Sequence, residues 1–166
     1  MTNGMIIYKG VIPERTEDFP NGEFGALVVA ARCNLGCPGC CNEHLKNDNC
    51  IQDTYKDIVD EVCSNPLHKW MALGGLEWTY QVDDMMVLAL EARRRGLNVI
   101  IYTGRTLDEF IKRVGSDYWK LLAGCYLKVG SYDEKRTTTD RYWYGVKMAS
   151  FNQYIMVIPG PFETTN

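Results

Sequence analysis

Ala26–Cys41 reads ALVVAARCNLGCPGCC, and the fold follows from how its two halves differ. Ala26–Ala31 is a short, unbroken apolar run. Alternation would leave one face in water, whereas an unbroken run fits a strand buried on both faces, as in a parallel sheet. The second half follows directly and sets Cys33, Cys37 and Cys40 in a loop with Gly36, Pro38 and Gly39. A loop rich in thiols is thus expected at the carboxyl end of a central strand.

Outward from this stretch, strands and helices alternate. Asp53–Cys63 puts Tyr55, Ile58, Val59 and Val62 on one helical face, and Asn65-Pro66 stops it. Lys69–Leu73 predicts a strand closed by Gly74-Gly75. Val82–Arg95 predicts a helix with Asp83 and Asp84 near its start, arginines near its end and Gly96 as its stop. Asn98–Tyr102 predicts a strand, Leu107–Val114 a helix, and Cys125–Val129 and Tyr154–Ile158 two later strands. Such alternation predicts parallel βαβ units.

The expected fold is α/β, an open partial (βα) barrel of about five or six mostly parallel strands, since a closed eight-unit barrel needs ~250 residues and the chain has 166. One domain is expected over 1–166: a lead-in loop over 1–25, a βα core over 26–130 with the cluster loop at 33–42, and a C-terminal strand region over 131–166. Ligands of such folds bind beyond the carboxyl ends of the strands. The cysteine loop, Gly74–Glu77 and Thr103–Arg105 all follow strand ends, so they are expected to meet at one edge of the sheet.

Composition narrows the function. Lys and Arg number 18 against 21 Asp and Glu, a net charge of −3, which argues against a nucleic-acid partner held mainly through phosphates. No apolar run reaches the ~20 residues that cross a bilayer. The start MTNGMIIYKG lacks a basic region followed by an apolar one, so no secretory leader and a cytoplasmic location are expected. Seven cysteines cannot all pair within one chain, and nothing points to an oxidising compartment. Cys63 and Cys125, standing apart, suit packing as small apolar residues.

Cys33–Cys40 is a CxxxCxxC pattern. Thiolates are the usual ligands of iron–sulfur clusters. Three of them bind three irons of a 4Fe-4S cubane and leave the fourth iron open. Two other metal readings stand beside this. Zinc takes four protein ligands, and Cys41 or Cys50 offers a fourth, but a distant second CxxC pair is absent. A ferredoxin-type electron carrier also wants a fourth cysteine at a set spacing.

Taken with its neighbours, the pattern resembles the radical S-adenosylmethionine superfamily, which carries CxxxCxxC on the loop after its first strand. Cys37–Asn42 (CPGCCN) is similar to the activating proteins of anaerobic ribonucleotide reductase. Asn21–Gly25 resembles their NG-x-G lead-in, and Leu73–Glu77 (LGGLE) their GGE element with one residue inserted. Ile101–Glu109 and Ser150–Gln153 are similar to their TG and S-x-NQ segments. The resemblance spans most of residues 18–155. Gly39 stands where an aromatic residue is usual in the superfamily, Cys41 where the subfamily has one, Arg105 in place of Tyr, and Lys128-Val129-Gly130 where Asp-Gly is usual.

The resemblance implies a 4Fe-4S cluster on Cys33, Cys37 and Cys40 that cleaves S-adenosylmethionine. It implies that Glu77 takes the ligand's ammonium and that Gly74 and Gly75 let the backbone approach it. Thr103 and Gly104 then line it, and Asn42 and Asn152 bond to ligand or loop. It implies a glycyl-radical partner, the large subunit of anaerobic ribonucleotide reductase, and an external electron donor such as flavodoxin or ferredoxin. Simpler roles are available to the same residues: a plain turn for Gly74-Gly75, a helix N-terminal acid for Glu77, an N-cap for Thr103, a structural amide for Asn152, a solvated loop residue for His44 and a bystander for Cys41. Thr137–Tyr144 (TTTDRYWY) suits partner docking or edge packing. Rival functions are a radical enzyme for a small molecule or peptide, a zinc-binding interaction module and an electron carrier.

Overall fold

Gly25–Ala30 forms the expected strand, buried along its whole length. A computed structural model of the chain describes residues 4–160, so the ends of the expected lead-in (1–3) and C-terminal region (161–166) lie outside the described residues. Within them the strands are β1 (Met5–Arg15), β2 (Gly25–Ala30), β3 (Ile51–Thr54), β4 (Trp70–Gly74), β5 (Asn98–Tyr102), β6 (Tyr126–Val129), β7 (Tyr142–Trp143), β8 (Val146–Lys147) and β9 (Tyr154–Val157). The helices are α1 (Tyr55–Cys63), α2 (Val82–Arg94), α3 (Leu107–Val114) and α4 (Ser116–Leu121).

Seven strands form one open sheet in the order β3-β1-β2-β4-β5-β6-β9, and β7 and β8 make a separate hairpin. The central strands β2, β4, β5 and β6 are parallel, while β3, β1 and β9 flank them in antiparallel pairing. The sheet is therefore mixed with a parallel centre. It has seven strands rather than five or six, and it is not a closed barrel.

The extra strands correct the expected lead-in loop. Residues 5–15 form β1, pairing with both β2 and β3. Ile6 and Tyr8 alternate into the core, but the pattern is short and is broken by register shifts around Gly10 and after Ile12. A buried strand with irregular pairing leaves little periodic signal. Edge strand β3 is similarly hidden, because Ile51 and Gln52 are exposed and only its pairing to β1 defines it.

The helices follow local chemistry closely. Thr54 caps α1, accepting from the Asp57 N–H at 3.1 Å. At the end of α2, the Leu97 N–H reaches the Ala92 carbonyl and the Gly96 N–H the Arg93 carbonyl, which closes a Schellman motif at Gly96. Thr106, not Thr103, caps α3, and Glu109 completes a capping box.

Register assigns the two sheet faces. Val28, Leu73, Ile101 and Leu127 share one face, and α2 packs over its β4 and β5 segments. Leu27, Ala72, Ile100 and Tyr126 share the other, which loops cover instead. Phe19 of the lead-in packs there against Trp70 (ring centroids 6.1 Å apart), and Tyr144 of the hairpin against Tyr126 (5.4 Å). The Tyr142–Tyr144 segment therefore packs in part, although Tyr142 stays 58% exposed.

Candidate metal and ligand site

The loop after β2 carries the three spaced cysteines and contains no regular element before a 3₁₀ turn at Glu43–Asn47. Cys33, Cys37 and Cys40 are half-buried, whereas Asn34, Gly36, Pro38 and Gly39 between them face solvent. The loop is turned by the Cys40 N–H donating to the Cys37 carbonyl at 3.2 Å. All seven cysteines are free thiols. Burial pushes the Cys33 thiol up, with a backbone hydrogen bond at Leu35 opposing it.

The loop is pinned to strand ends. The Glu77 N–H donates to the Arg32 carbonyl at 3.0 Å, joining the residue before the first cysteine to the turn after β4. Leu35 lies where a Cβ on Gly104 would stand, 2.4 Å from its Cδ1, so glycine at 104 is what lets the loop dock. At Gly39, where the resembling superfamily carries an aromatic, the ring of Tyr132 fills the space, 3.3 Å from where a Cβ would lie.

One cavity gathers most of the expected residues: Cys33, Cys37, Cys40, Asn42, Gly75, Glu77, Thr103 and Gly104 all line it. Gly74 does not. Its missing Cβ makes room for the Tyr102 Cβ (3.1 Å) and for Leu27 (3.4 Å). Gly75, at φ +74°, likewise yields to Val29 at 2.8 Å and Leu45 at 3.3 Å. In the chain by itself, both glycines serve close packing of the strand ends.

Glu77 is 2% exposed, and the donors that bond to it are all neutral. Its Oε1 accepts from the Thr79 hydroxyl (2.7 Å), the Thr79 N–H (3.2 Å) and the Thr103 hydroxyl (3.0 Å), and its Oε2 from the Gly104 N–H (2.8 Å). Arg105 donates to the Thr79 hydroxyl at 2.7 Å and lies over the Tyr80 ring. Glu77 thus ties the turn after β4 to the turn after β5. It is no surface acid at a helix start.

The late S-x-NQ segment is structural. Asn152 Nδ2 donates to the Ser131 carbonyl at 2.8 Å, Ser150 Oγ accepts from the Asp133 N–H at 3.2 Å, and Gln153 Nε2 donates to the Gly130 carbonyl at 3.2 Å. Together they hold the loop after β6 against the cavity. His44 is exposed. Cys41 lines the cavity as well but is exposed.

Sequence reasoning missed part of the wall. Tyr102, Lys128, Ser131, Tyr132 and Gln153 also line the cavity. Strand-end position was the available signal for Tyr102 and Lys128. Burial pushes the Lys128 ammonium below the usual lysine value.

These residues suit a 4Fe-4S cluster. Among the described residues, no three His, Cys, Asp or Glu side chains gather closely enough to hold a single metal ion. A cubane asks for something different, because each thiolate binds its own iron and the sulfurs stand apart. Three free, half-buried thiols on one glycine-bearing loop, all facing one cavity, meet that demand.

Beyond the site, no helix among the described residues is long and apolar enough to cross a membrane. A family model described as a 4Fe-4S single cluster domain matches residues 21–156. No curated protein matches the chain.

Proposed function

The chain belongs to the family of 4Fe-4S single cluster domains, and on that premise we propose that it is a radical S-adenosylmethionine enzyme that raises a glycyl radical on anaerobic ribonucleoside-triphosphate reductase. The observation that carries this reading is the meeting of Cys33, Cys37 and Cys40 with Glu77, Thr103 and Gly104 in one cavity. Three sulfur ligands leave one corner of a cubane without a CxxxCxxC thiolate, and polar groups suited to an amino-acid ligand lie beside it. When bound and reduced by an external flavodoxin or ferredoxin, such a cluster supplies an open iron and the one electron that splits S-adenosylmethionine into methionine and a 5′-deoxyadenosyl radical, which then takes a glycine α-hydrogen.

The chain's own residues do the rest. Cys33, Cys37 and Cys40 hold the cluster as thiolates. Oε1 of Glu77 already accepts three hydrogen bonds, so Oε2, with one donor, is the oxygen left to receive the ligand's ammonium. Thr103 and Gly104 fix that carboxylate in place. Asn42 stands at the exit of the cluster loop, within reach of ligand or loop. Leu35, Leu76, Tyr102 and Tyr132 give the cavity an apolar wall that limits water. Within this reading the sheet is an open partial (βα) barrel, and its loop-covered side admits a partner's glycine loop. The same reading sets the protein in the cytoplasm of a cell living without oxygen.

The test is anaerobic reconstitution with iron and sulfide, then incubation with S-adenosylmethionine and reductant. 5′-Deoxyadenosine is expected, and a glycyl-radical signal by electron paramagnetic resonance when the reductase is added. A loaded cluster with no 5′-deoxyadenosine overturns the proposal. Cys41, on the same cavity wall, favours a second reading in which it supplies a fourth thiolate and the protein carries electrons only. That reading predicts a redox-active cluster and no cleavage.

A further inference from the structure

Residues 136–141 run beside residues 148–151 and carry a second cavity next to the first. The Phe151 N–H donates to the Arg136 carbonyl (2.8 Å), the Thr138 N–H to the Ala149 carbonyl (3.2 Å) and the Met148 N–H to the Arg141 carbonyl (2.9 Å). Ala149 lines the cluster cavity, whereas Thr137–Arg141 and Phe151 line the second one. The two cavities are thus neighbours, linked by the Thr138–Ala149 bond.

Arg141 is unsatisfied there. Its guanidinium carbon lies 5.7 Å from the centroid of the Trp143 ring and 5.8 Å from that of Phe151. Its Nε is buried, and among the described residues nothing accepts from it. No carboxylate pairs with the guanidinium, not even that of Asp140 on the same cavity wall. Arg136 differs: it is paired with Asp133 at 2.6 Å. A buried guanidinium N–H without an acceptor leaves its desolvation cost uncompensated, and the two oxygens of a carboxylate match the planar fork. The surface around Arg141 is aromatic, with Tyr142, Trp143 and Phe151 all exposed. Aromatic side chains and arginine are the types that carry most protein–protein binding energy. A small free anion leaves those rings in water, whereas a protein segment covers them.

We propose that Arg141 anchors a docking surface for a partner protein. It takes the carboxylate of an Asp or Glu side chain on a segment whose apolar part packs on Tyr142, Trp143 and Phe151. The inference rests on the proposed function and deepens it: a glycine loop that enters the cluster cavity belongs to a protein held beside that cavity, and this surface adjoins it through Ala149. The unpaired guanidinium sets the partner's chemistry, which is acidic at the point that faces Arg141. The segment continues towards the cluster cavity, so a side chain and not a chain end supplies the charge.

The experiment uses the full chain, anaerobically reconstituted, with the large subunit of anaerobic ribonucleoside-triphosphate reductase as the probe. Wild type, Arg141→Gln, Arg141→Lys and Phe151→Ala are compared in four readouts: affinity for the reductase, glycyl-radical signal, 5′-deoxyadenosine formed without the reductase, and melting temperature. Arg141→Gln is expected to bind the reductase roughly ten- to fiftyfold more weakly and Phe151→Ala roughly fivefold or more. Arg141→Lys, which keeps the charge and loses the fork, falls between Arg141→Gln and wild type. The glycyl-radical signal falls in step, while 5′-deoxyadenosine formed without the reductase stays within about twofold of wild type. Unchanged affinity of Arg141→Gln overturns the proposal. Loss of 5′-deoxyadenosine without the reductase assigns Arg141 to the cluster cavity and also overturns it. Weaker binding confined to variants whose melting temperature falls makes Arg141 a structural residue and overturns it too. Wild type that sediments as a dimer, with Arg141→Gln a monomer, gives the surface to a second copy of the chain. Inorganic phosphate that raises the melting temperature of wild type but not of Arg141→Gln gives it to a free anion; either result overturns the proposal. Wild type that carries iron but does not bind the reductase overturns the proposed partner and this inference together. Wild-type binding with unaffected variants overturns only the docking surface.

Discussion

Glu77 Oε2 accepts the Gly104 N–H at 2.8 Å, although 27 residues separate them and they follow different parallel strands. With Thr103 and Thr79 on the other oxygen, this carboxylate locks two strand-end turns into one unit. The Glu77 N–H, bonded to Arg32, joins the same unit to the approach of the cluster loop. Site geometry and fold stability therefore depend on one buried acid.

Replacing Glu77 by Ala strands two hydroxyls and two backbone N–H groups in a buried setting. The expected cost is about 2–4 kcal/mol, which lowers the melting temperature of the cluster-free protein by roughly 5–15 °C. Glu77→Gln keeps the shape and one acceptor oxygen, enough for the three bonds now made to Oε1, but turns an NH2 towards the Gly104 N–H, so it should melt between Glu77→Ala and wild type. Thermal denaturation followed by circular dichroism checks both.

Gly104→Ala drives a methyl group against Leu35, whose Cδ1 lies 2.4 Å from the ideal Cβ position. The strain is about 1–3 kcal/mol and falls on the docking of the cluster loop, so iron uptake on reconstitution should fall. Leu35→Ala added to Gly104→Ala should restore much of it. Iron and sulfide analysis of the single and double variants decides; independent, additive losses contradict the contact.

Cys37→Ala removes one of three thiolates from a loop outside the sheet. Iron content should drop to background and 5′-deoxyadenosine formation should cease, while the far-ultraviolet circular dichroism of the cluster-free form stays that of wild type. Removing the cluster from wild type with a chelator should likewise leave the sheet signal intact, because the core of β2, β4, β5 and β6 makes no use of the metal.

Thr106→Ala breaks the capping box of α3, where Thr106 and Glu109 bond reciprocally. About 1 kcal/mol of stability should go, seen as a fall of roughly 2–4 °C in melting temperature. Cluster content should not change, since α3 does not line the cavity. This variant separates loss of stability from loss of the site.

Particular residues mark what was legible. β5 and α3 lie where their periodicity set them, and α2 ends at its Gly96 signal, because buried apolar runs and helix caps are local features of the chain. β1 and β3 were illegible as strands: one is irregularly paired and the other is exposed, so only their partners define them. The cysteine loop could be read because ligand spacing along a chain is itself chemistry. Thr103 was ambiguous between cap and site until Thr106 was found at the cap and Thr103 on Glu77.

From the sequence alone came the α/β order, the three candidate thiolates and the expectation that three strand-end turns share one edge, since each depends on short-range pattern. Tertiary structure alone decided that Glu77 is buried among neutral donors, that Leu35 occupies the space Gly104 leaves, and that Lys128 stands on the cavity wall over the Tyr102 ring. Those facts depend on contacts between residues far apart in the chain, and register between β4, β5 and β6 sets such contacts only once the sheet has formed.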